Sequence, residues 1–368
     1  MSNTDKSKLD GIASNANNYS LPTASSSTLG GVKIGDNISI NSGTISVTVD
    51  SSLSDTSTNP VQNKVINNSI NSINSSISSI SSISSTIAEM SCVYGVRHYY
   101  NNSSPALTRI GSSNLHVTLP VQSRMRRCVV SDDGSVVYYL DANDSTKKED
   151  GTDAVLDGTD GQVMVEVPEH YRRHTLGSDY YDSEIALVPF TGAFKVNKYY
   201  VSMSEAAMDR TNNKLASVVN TTAQYRGGNN TSDWDDTYRS LLGMPATNIS
   251  TINFHTYANN RGNGWEMYEV DVHDDIYWLY VIEYANLNVQ LAYNSELTAE
   301  GYHQGGLGNG VIEKDWNTWS SYNSTNPIIP CGATLSLGNN SGVVSYSPLS
   351  SDDSTAWGTF SVPSYRGI

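Results

Sequence analysis

The stretch INNSINSINSSISSISSISSTI, residues 66–87, decides how the N-terminal third of the chain assembles. Its isoleucines lie 4, 3, 4, 3, 3 and 4 residues apart, and almost every other position is Ser or Asn. A narrow apolar seam with a repeat near 3.5 residues predicts a coiled coil, and isoleucine at both seam positions favours three or more strands over two. The predicted trimerisation residues are Ile66, Ile70, Ile73, Ile77, Ile80, Ile83 and Ile87.

The composition of this seam makes its helix depend on association. Ser and Asn are poor helix formers, so one copy is not expected to be helical alone. Two consecutive steps of three residues meet at Ile80 and resemble a stammer, which overwinds a coil locally. Pro60 lies where a first helical turn is predicted to begin, with Asn59 as its cap. The alternative is a disordered linker, which seven isoleucines in register disfavour.

Residues 1–57 carry the signals of short strands. Turn residues at 30–31, 35–36 and 42–43 separate Ile and Val residues that alternate with polar ones. This alternation predicts short β-strands. So little apolar material cannot form a core in one copy. We therefore expect a thin, β-rich base that self-association completes.

Net charge and cysteine content argue against several classes of protein. The chain has 22 Lys and Arg against 37 Asp and Glu, a net charge of -15, which opposes binding to nucleic acid. No run of about 18 apolar residues predicts a membrane span, and no signal-peptide pattern is present. Cys92, Cys128 and Cys331 are too widely spaced to predict a disulfide framework or a zinc site.

Residues 91–368 contain the patterns of both strands and helices, so the fold class is predicted to be α+β and multidomain. A turn at 131–134 separates the first two strands. The predicted elements are strands at 128–130, 136–140 and 163–167, a short turn or helix at 204–208, a helix between Trp265 and Leu297, and loops with short strands after Tyr302.

Long stretches of the chain resemble phage tail-fibre proteins. LDGIASNANNYSLPTASSSTLGGVKIG, residues 9–35, resembles their collar-like repeats, and STNPVQNKVI, residues 57–66, resembles the entry to their coiled coils. The C-terminal part resembles gut-phage (Bacteroides-type) tail proteins whose C-type-lectin-like fold is related to the formylglycine-generating-enzyme scaffold. The stretches that carry this resemblance are EDGTDAVLDGTDGQVMVEVP, YRGGNNTSDWDDTYRSLLGMPATNIS, YWLYVIEYANLNVQLAYN, GYHQGGLGNGV, NPIIPCGATLSLGNNSGVVSYS and VPSYRGI.

The resemblance implies a receptor-binding head that a diversity-generating retroelement rewrites at adenines. The matching stretch, residues 315–347, mixes Asn, Tyr, Ser and Thr with a frame of Trp, Pro, Cys and Gly. Tyr and Trp supply contact area, and Asn and Ser supply adaptable hydrogen bonds. The predicted ligand-binding residues are Trp316, Asn317, Trp319, Ser320, Ser321, Tyr322, Asn323, Asn326, Asn339, Asn340, Ser345 and Tyr346.

The resemblance and the composition also give expectations for the exposure of single side chains and for the end of the head. Tyr322, Asn323 and Asn340 are expected to be exposed, whereas Trp316 and Trp319 are equally compatible with a place in the core. In the resembling family, a last Trp-containing part follows the YRGI-like motif. The head is therefore expected either to be truncated at its C-terminus or to close differently.

Acidic clusters at 150–160, 233–236 and 271–275 invite a metal interpretation, but none completes a calcium loop. Turn capping and a helix start are the favoured roles of these aspartates. Cys331 is predicted to be a buried small residue. His255, His273 and His303 are isolated, and the common hydrolase and metalloprotease motifs are absent from the sequence. We therefore predict no metal, no cofactor and no enzymatic activity.

The domain prediction is a β-rich fibre base at 1–57, a trimeric coiled-coil stalk at 58–90, a β-rich connector at 91–175 and a C-type-lectin-like head at 176–368. The function predicted is that of a tail-fibre adhesin on the virion. Its partners are two further copies, a host bacterial surface receptor and other phage tail proteins, with no nucleic acid and no membrane insertion. The alternatives are a tail-spike glycan depolymerase and a cell-surface adhesin.

Overall fold

The computed structural model of the protein describes residues 1–12, 31, 35–36, 38–42, 44–228, 230–237, 240–308, 329–347 and 360–368. The chain divides into two compact units, residues 1–84 and 85–368. Helices and several sheets are both present, which confirms the predicted α+β class. None of the helices in the described ranges is long and apolar enough to cross a bilayer.

The first unit begins with a helix that is not among the predicted elements, α1, Asn3–Asp10. Ser2 Oγ accepts a hydrogen bond from the Asp5 N–H at 3.1 Å. The Asp5 carboxylate accepts one from the Ser2 N–H at 3.3 Å in return. This capping box satisfies two of the N–H groups that a helix start leaves unpaired, so it stabilises α1 locally.

An antiparallel hairpin follows, formed by β1, Ile38–Asn41, and β2, Thr44–Val47, which confirms the strands predicted here. Ile38 lies opposite Val47 and Ile40 opposite Ile45. The Ile and Val positions therefore share one face of the hairpin, and the Ser, Asn and Thr positions share the other. The described apolar side chains of the two strands are 40–62% exposed, so this face is open to solvent in a single copy.

Helix α2, Asn63–Cys92, is the 30-residue helix that the isoleucine spacing predicts. It begins at Asn63, so the predicted start at Pro60 with Asn59 as its cap is wrong. Asn59 Nδ2 instead donates to Asp50 Oδ1 at 3.0 Å, and the Asp50 N–H donates to Pro60 O at 2.8 Å. These bonds hold the residues before the helix in an extended bridge beside Asp50.

The second unit is built on two antiparallel sheets. The strands are β3 Tyr94–Tyr99, β4 Thr108–Gly111, β5 Arg126–Val130, β6 Val136–Tyr139, β7 Gln162–Val167, β8 His170–Leu176, β9 Tyr180–Ala186, β10 Phe194–Val196 and β11 Tyr199–Ser202. One sheet has the order β10-β8-β9-β3-β4 and the other has the order β11-β7-β5-β6. The strands predicted around the turn at 131–134 and at 163–167 are confirmed as β5, β6 and β7.

Three further hairpins and three helices complete the described part of this unit. Their bounds are β12 Ala207–Asp209 with β13 Lys214–Ala216, β14 Tyr293–Asn294 with β15 Gln304–Gly305, β16 Gly342–Tyr346 with β17 Phe360–Ser364, and α3 Ser113–Thr118, α4 Thr251–Asn259 and α5 Val270–Tyr284. The stretch 204–208, predicted as a short turn or helix, bends and enters β12. The predicted helix between Trp265 and Leu297 is confirmed as α5, which ends where Ala285 turns left-handed with φ 51°.

Helix α5 closes the main core of the second unit. Leu279 and Ile282 have no exposed surface, and they share one apolar cluster with Tyr94 and Ile185 of the first sheet and Val165 of the second. Fully burying such a side chain contributes about 1.5–3 kcal/mol. Every residue from 279 to 284 is buried, so the second half of α5 is covered on all sides.

The spans predicted as connector and head, 91–175 and 176–368, contribute strands to the same sheets. β8 runs to Leu176 and pairs with β9, and β7 pairs with β11. Residues 85–368 accordingly form one compact unit.

Burial lowers the pKa of three histidines of this unit, His116, His174 and His303, and so disfavours their charged form. His116 is buried with Nε2 2.9 Å from Ile110 O, and burial lowers its pKa. His174 Nε2 accepts a hydrogen bond from Arg172 Nη2 at 2.8 Å, because a guanidinium only donates. Burial, followed by the charge of Arg172, lowers the pKa of His174.

We expect the thermal midpoint of residues 85–368 to fall as the pH is lowered from about 7 to about 5. Below the ordinary histidine pKa of about 6.5, the unfolded chain binds protons that the folded chain does not. Carboxylates with a lowered pKa, such as Asp275, lose their stabilisation only as the pH falls from their ordinary value of about 3.9 down through the lowered folded pKa, which is below this window.

Scanning calorimetry at both pH values tests this. The fall should be smaller in His116→Gln and unchanged in His255→Gln, whose side chain is exposed on α4. An equal fall in the parent chain and in both variants would contradict the assignment to buried histidines.

Candidate functional site

Helix α2 presents the isoleucines at positions 66–83 to solvent. The spacing of three and four residues places them on one face. Serine hydroxyls at four other positions donate to carbonyls four residues earlier at 3.0–3.1 Å, so the remaining surface is polar and internally bonded. The exposed fractions are 42–65% for Ile66, Ile70, Ile73, Ile77, Ile80 and Ile83, and the side chain of Ile87 lies outside the described residues. A continuous exposed apolar stripe of this kind marks an interaction surface.

Four of the predicted ligand-binding residues lie in the described part of the chain. Asn339 and Asn340 follow a 3-10 turn at 335–337, and Ser345 and Tyr346 lie on β16. The remaining predicted residues lie outside the described residues, and they are Trp316, Asn317, Trp319, Ser320, Ser321, Tyr322, Asn323 and Asn326.

The four described residues differ in their surroundings. Asn340 is exposed, as predicted, and Ser345 is exposed on β16 opposite Ser361. Tyr346 is half-buried, and burial raises its pKa. Asn339 is also half-buried, but its Oδ1 accepts a hydrogen bond from the Arg127 N–H at 2.7 Å. Three of the four therefore present side chains near the surface, and Asn339 faces inward.

A buried ion pair ties the C-terminal turn to α5. The Glu283 carboxylate has no exposed surface, and Arg366 donates to it twice, at 2.7 and 3.0 Å. His303 Nδ1 lies 3.4 Å from the same carboxylate. The turn itself is closed by two main-chain bonds of 2.9 Å between Tyr365 and Ile368. Because β17 leads into this turn, the ion pair also fixes one end of the β16–β17 hairpin.

A second buried network is centred on Asp275, which the sequence indicates only as a residue near a helix start. Its carboxylate accepts from Tyr199 at 2.8 Å and from Arg172 at 2.9 Å, and it lies 3.1 Å from His170 Nε2. Burial would raise the pKa of Asp275, but these hydrogen bonds and charges outweigh it and lower the pKa. Asp275 lies one turn before Leu279, so its inward position could have been predicted from helical spacing.

The acidic turns bind their own backbone. Asp150 Oδ1 and Asp157 Oδ1 each accept the N–H two residues ahead at 2.9 Å, which confirms turn capping. Asp235 pairs with Arg226, and Asp271 lies in the first turn of α5. Across the described residues, no three metal-ligating side chains come together.

Cys331 is a buried small residue, as predicted. It lies in a cluster with Ala207, Ala216 and Val218, and its thiol donates to Glu205 O at 3.3 Å. Burial raises the pKa of Cys331 to about 11, so the thiol stays protonated at neutral pH. A protonated, enclosed thiol is a poor nucleophile.

Comparison with known protein families finds a match for the N-terminal part of the chain. Residues 1–54 match the family model for the phage head fiber protein, and this span contains α1 and the β1–β2 hairpin. The match supports a phage fibre role. It confirms the predicted class, a phage fibre protein, and does not extend to a place on the tail. No curated protein and no solved structure matches the chain significantly.

We expect Glu283→Ala to destabilise residues 85–368 by about 3–5 kcal/mol, because it leaves Arg366 largely buried without its counter-charge. The matched control is Glu169→Ala, which breaks the exposed pair with Lys195 at 2.7 Å and should cost no more than about 1 kcal/mol. Urea unfolding followed by tyrosine and tryptophan fluorescence measures both. Equal small losses would show that the Glu283 pair does not hold the C-terminal turn.

Proposed function

We propose that the protein is a homotrimeric phage fibre adhesin, which assembles through α2 and attaches to a bacterial surface receptor through the C-terminal part of its second unit. The observation that carries the proposal is the exposed isoleucine stripe of α2. The match of residues 1–54 to a fibre family supports a place on the virion. Attachment to the tail through other tail proteins is the more specific part of the proposal, and it follows the sequence resemblance.

The energetics of α2 favour several copies over one. Each isoleucine that moves from solvent into a coiled-coil core contributes about 1.5–3 kcal/mol. Each Ser or Asn costs a helix up to about 0.7 kcal/mol relative to Ala. A single copy leaves the stripe exposed and gains nothing to offset that cost. Isoleucine at both seam positions favours three strands or more, so a trimer is the assembly proposed.

The β1–β2 hairpin supports the same assembly. A two-stranded hairpin is at best marginally stable alone in water. Its Ile and Val side chains share one exposed face, as on α2, and the hairpin and residues 63–84 of the helix belong to the same compact unit. Packing three such faces together would give the fibre base the core that one copy lacks.

The proposed adhesive surface is supported by the surroundings of its described residues. Asn340, Ser345 and Tyr346 are attached to a turn and a hairpin that the buried Glu283 and its partner Arg366 hold in place. A rigid support lowers the entropic cost of binding. A C-type-lectin-like head diversified by a retroelement remains the proposal for residues 176–368, and its support is the sequence resemblance described above.

Multivalency makes weak sites sufficient. Linking two binding modules raises the overall affinity by on the order of 10² to 10⁴ without any new contact. Three heads on one fibre, with several fibres on one virion, would extend this gain. The receptor is proposed to be a glycan or a protein of the host surface, because aromatic and amide side chains suit both.

We expect replacement of Ile70, Ile73 and Ile77 by Asn to dissociate the assembly and to reduce helicity, because the seam loses its apolar contacts. The matched control replaces Asn71 by Ser and Ser75 and Ser78 by Asn, which are exposed positions away from the seam. Gel filtration and circular dichroism at 222 nm compare both with the parent chain. A seam variant that elutes and absorbs like the control would refute assembly through α2.

Adhesion is tested with the fluorescently labelled full chain on a panel of bacterial isolates. On a strain that the parent binds, we expect the triple variant Asn340→Ala, Ser345→Ala, Tyr346→Ala to lose adsorption about tenfold or more, as loss of central contacts does. The control carries Asn253→Ala, Ser178→Ala and Tyr100→Ala, the same residue types at exposed positions elsewhere. Equal adsorption of the two variants would remove β16 and Asn340 from the receptor site.

The same cells separate adhesion from glycan degradation. If the chain only binds, incubation with capsular polysaccharide leaves the polymer length unchanged by size-exclusion chromatography. Release of oligosaccharides would instead support a tail-spike depolymerase.

A further inference from the structure

Asn339 accepts a hydrogen bond from β5 at a point where a residue of a neighbouring strand would usually accept it. Opposite the end of β6, the Leu140 N–H donates to Arg127 O at 3.0 Å. The Arg127 N–H does not return this bond to Leu140, and it donates instead to Asn339 Oδ1 at 2.7 Å. The Asn339 N–H donates in turn to Ala142 O at 2.8 Å. Side chain and backbone of Asn339 thus continue the edge of the four-stranded sheet.

The side chain of Arg127 binds the neighbouring segments to the same point. It has no exposed surface, and its Nε donates to Gly367 O at 2.7 Å. Nη1 donates to Ser145 Oγ at 3.0 Å and to Thr334 O at 3.1 Å, and Nη2 donates to Thr334 Oγ1 at 2.7 Å. The turn before Asn339 and the C-terminal turn are therefore both attached to β5.

The buried guanidinium of Arg127 depends on the arrangement of its acceptors, because those named above are all uncharged. Burial lowers the pKa of Arg127 to about 10, and no carboxylate contributes to that pKa among the described residues. A buried guanidinium held only by neutral acceptors depends on every one of them, because an unmet donor is costly to bury. Gly367 has a φ of 92°, in the left-handed region that favours glycine, and a Cβ there would also crowd the Arg127 side chain at 3.1 Å.

Asn340 contrasts with its neighbour. Its side chain is exposed, and within the described residues Nδ2 makes only the longer contacts of 3.3 Å to Ala142 O and 3.2 Å to Asn143 Oδ1. Water can replace such exposed bonds at little cost. Two adjacent asparagines of the same sequence pattern are therefore used differently, one inside the support and one on the surface.

We propose that Asn339 is a positioning residue, which with Arg127 fixes the turn from which Asn340 and β16 extend, and that the recognition surface begins at Asn340. This revises the sequence-based prediction that Asn339 itself contacts a ligand. This inference rests on the proposed function only where it calls the exposed surface a recognition surface. The structural role of Asn339 holds whether or not the surface binds a receptor. The fold accordingly accepts only Asn or Asp at position 339, because both keep the acceptor oxygen. At position 340 the fold accepts many residues, because that side chain is exposed.

Hydrogen exchange of the full chain, resolved to the Arg127 amide, tests the proposal without any ligand. In Asn339→Ala the protection of this amide should fall about tenfold, as expected for the loss of one buried hydrogen bond. Asn339→Asp should keep the parent protection, and so should the matched control Asn340→Ala. Parent-like protection in Asn339→Ala, or an equal loss in Asn340→Ala, would overturn the proposal.

The Asn339→Asp variant and the adsorption assay keep the test conclusive when Asn339→Ala does not fold or when no strain binds the parent. If Asn339→Ala does not fold, Asn339→Asp decides alone, since tenfold lower protection in a chain that keeps the acceptor contradicts the proposal. On a strain that the parent binds, Asn339→Asp should adsorb like the parent and Asn340→Ala should not. Exchange as proposed with no adsorption by the parent to any strain would leave the positioning role standing and remove the adhesin function.

Discussion

Among its described side chains, helix α2 exposes six isoleucines, and it contains few residues that favour a helix by themselves. Its stability must come from covering that apolar stripe, because Ser and Asn side chains compete for backbone hydrogen bonds. The serine hydroxyls bond back to carbonyls one turn earlier, which satisfies them without adding apolar contact. On the proposed assembly, the first unit depends on association, and the adjoining hairpin, with its own open apolar face, depends on it in the same way.

The second unit depends on α5 instead. Its buried second half joins both sheets through Leu279 and Ile282, and the same helix carries the buried acids Asp275 and Glu283. Each acid has arginine partners from a distant part of the chain, so the charges are neutralised where burial would otherwise be costly. The C-terminal turn, the hairpin before it and the turn at Asn339 are supported by these contacts.

Local patterns predicted the elements well, and long-range contacts explain what they missed. The isoleucine period predicted α2, but the pairing of Asp50 with residues 60 and 61 delays its start to Asn63. The limits of α5 were predicted poorly because its second half is buried on all sides and shows no polar face. Glu283 is separated from Arg366 by 83 residues and Arg127 from Asn339 by 212, so no local pattern could pair them.

The family resemblance assigned Asn339 and Asn340 to the same surface, and their composition agreed with it, because both are residues that suit adaptable contacts. Only their hydrogen bonds distinguish the support from the surface. If the recognition residues change as proposed while the fold is kept, the support and the surface must be separate in this way. The support here consists of the buried Arg127, the largely buried Arg366, the buried Glu283 and an inward-facing asparagine, and the side chain of Asn340 lies exposed beyond it.

The solution mass of the unaltered chain tests the central claim most directly. Multi-angle light scattering coupled to gel filtration at micromolar concentration should give about three times the chain mass of 39.9 kDa. A mass of one chain, with the helix signal of α2 intact, would contradict an assembly driven by the isoleucine stripe.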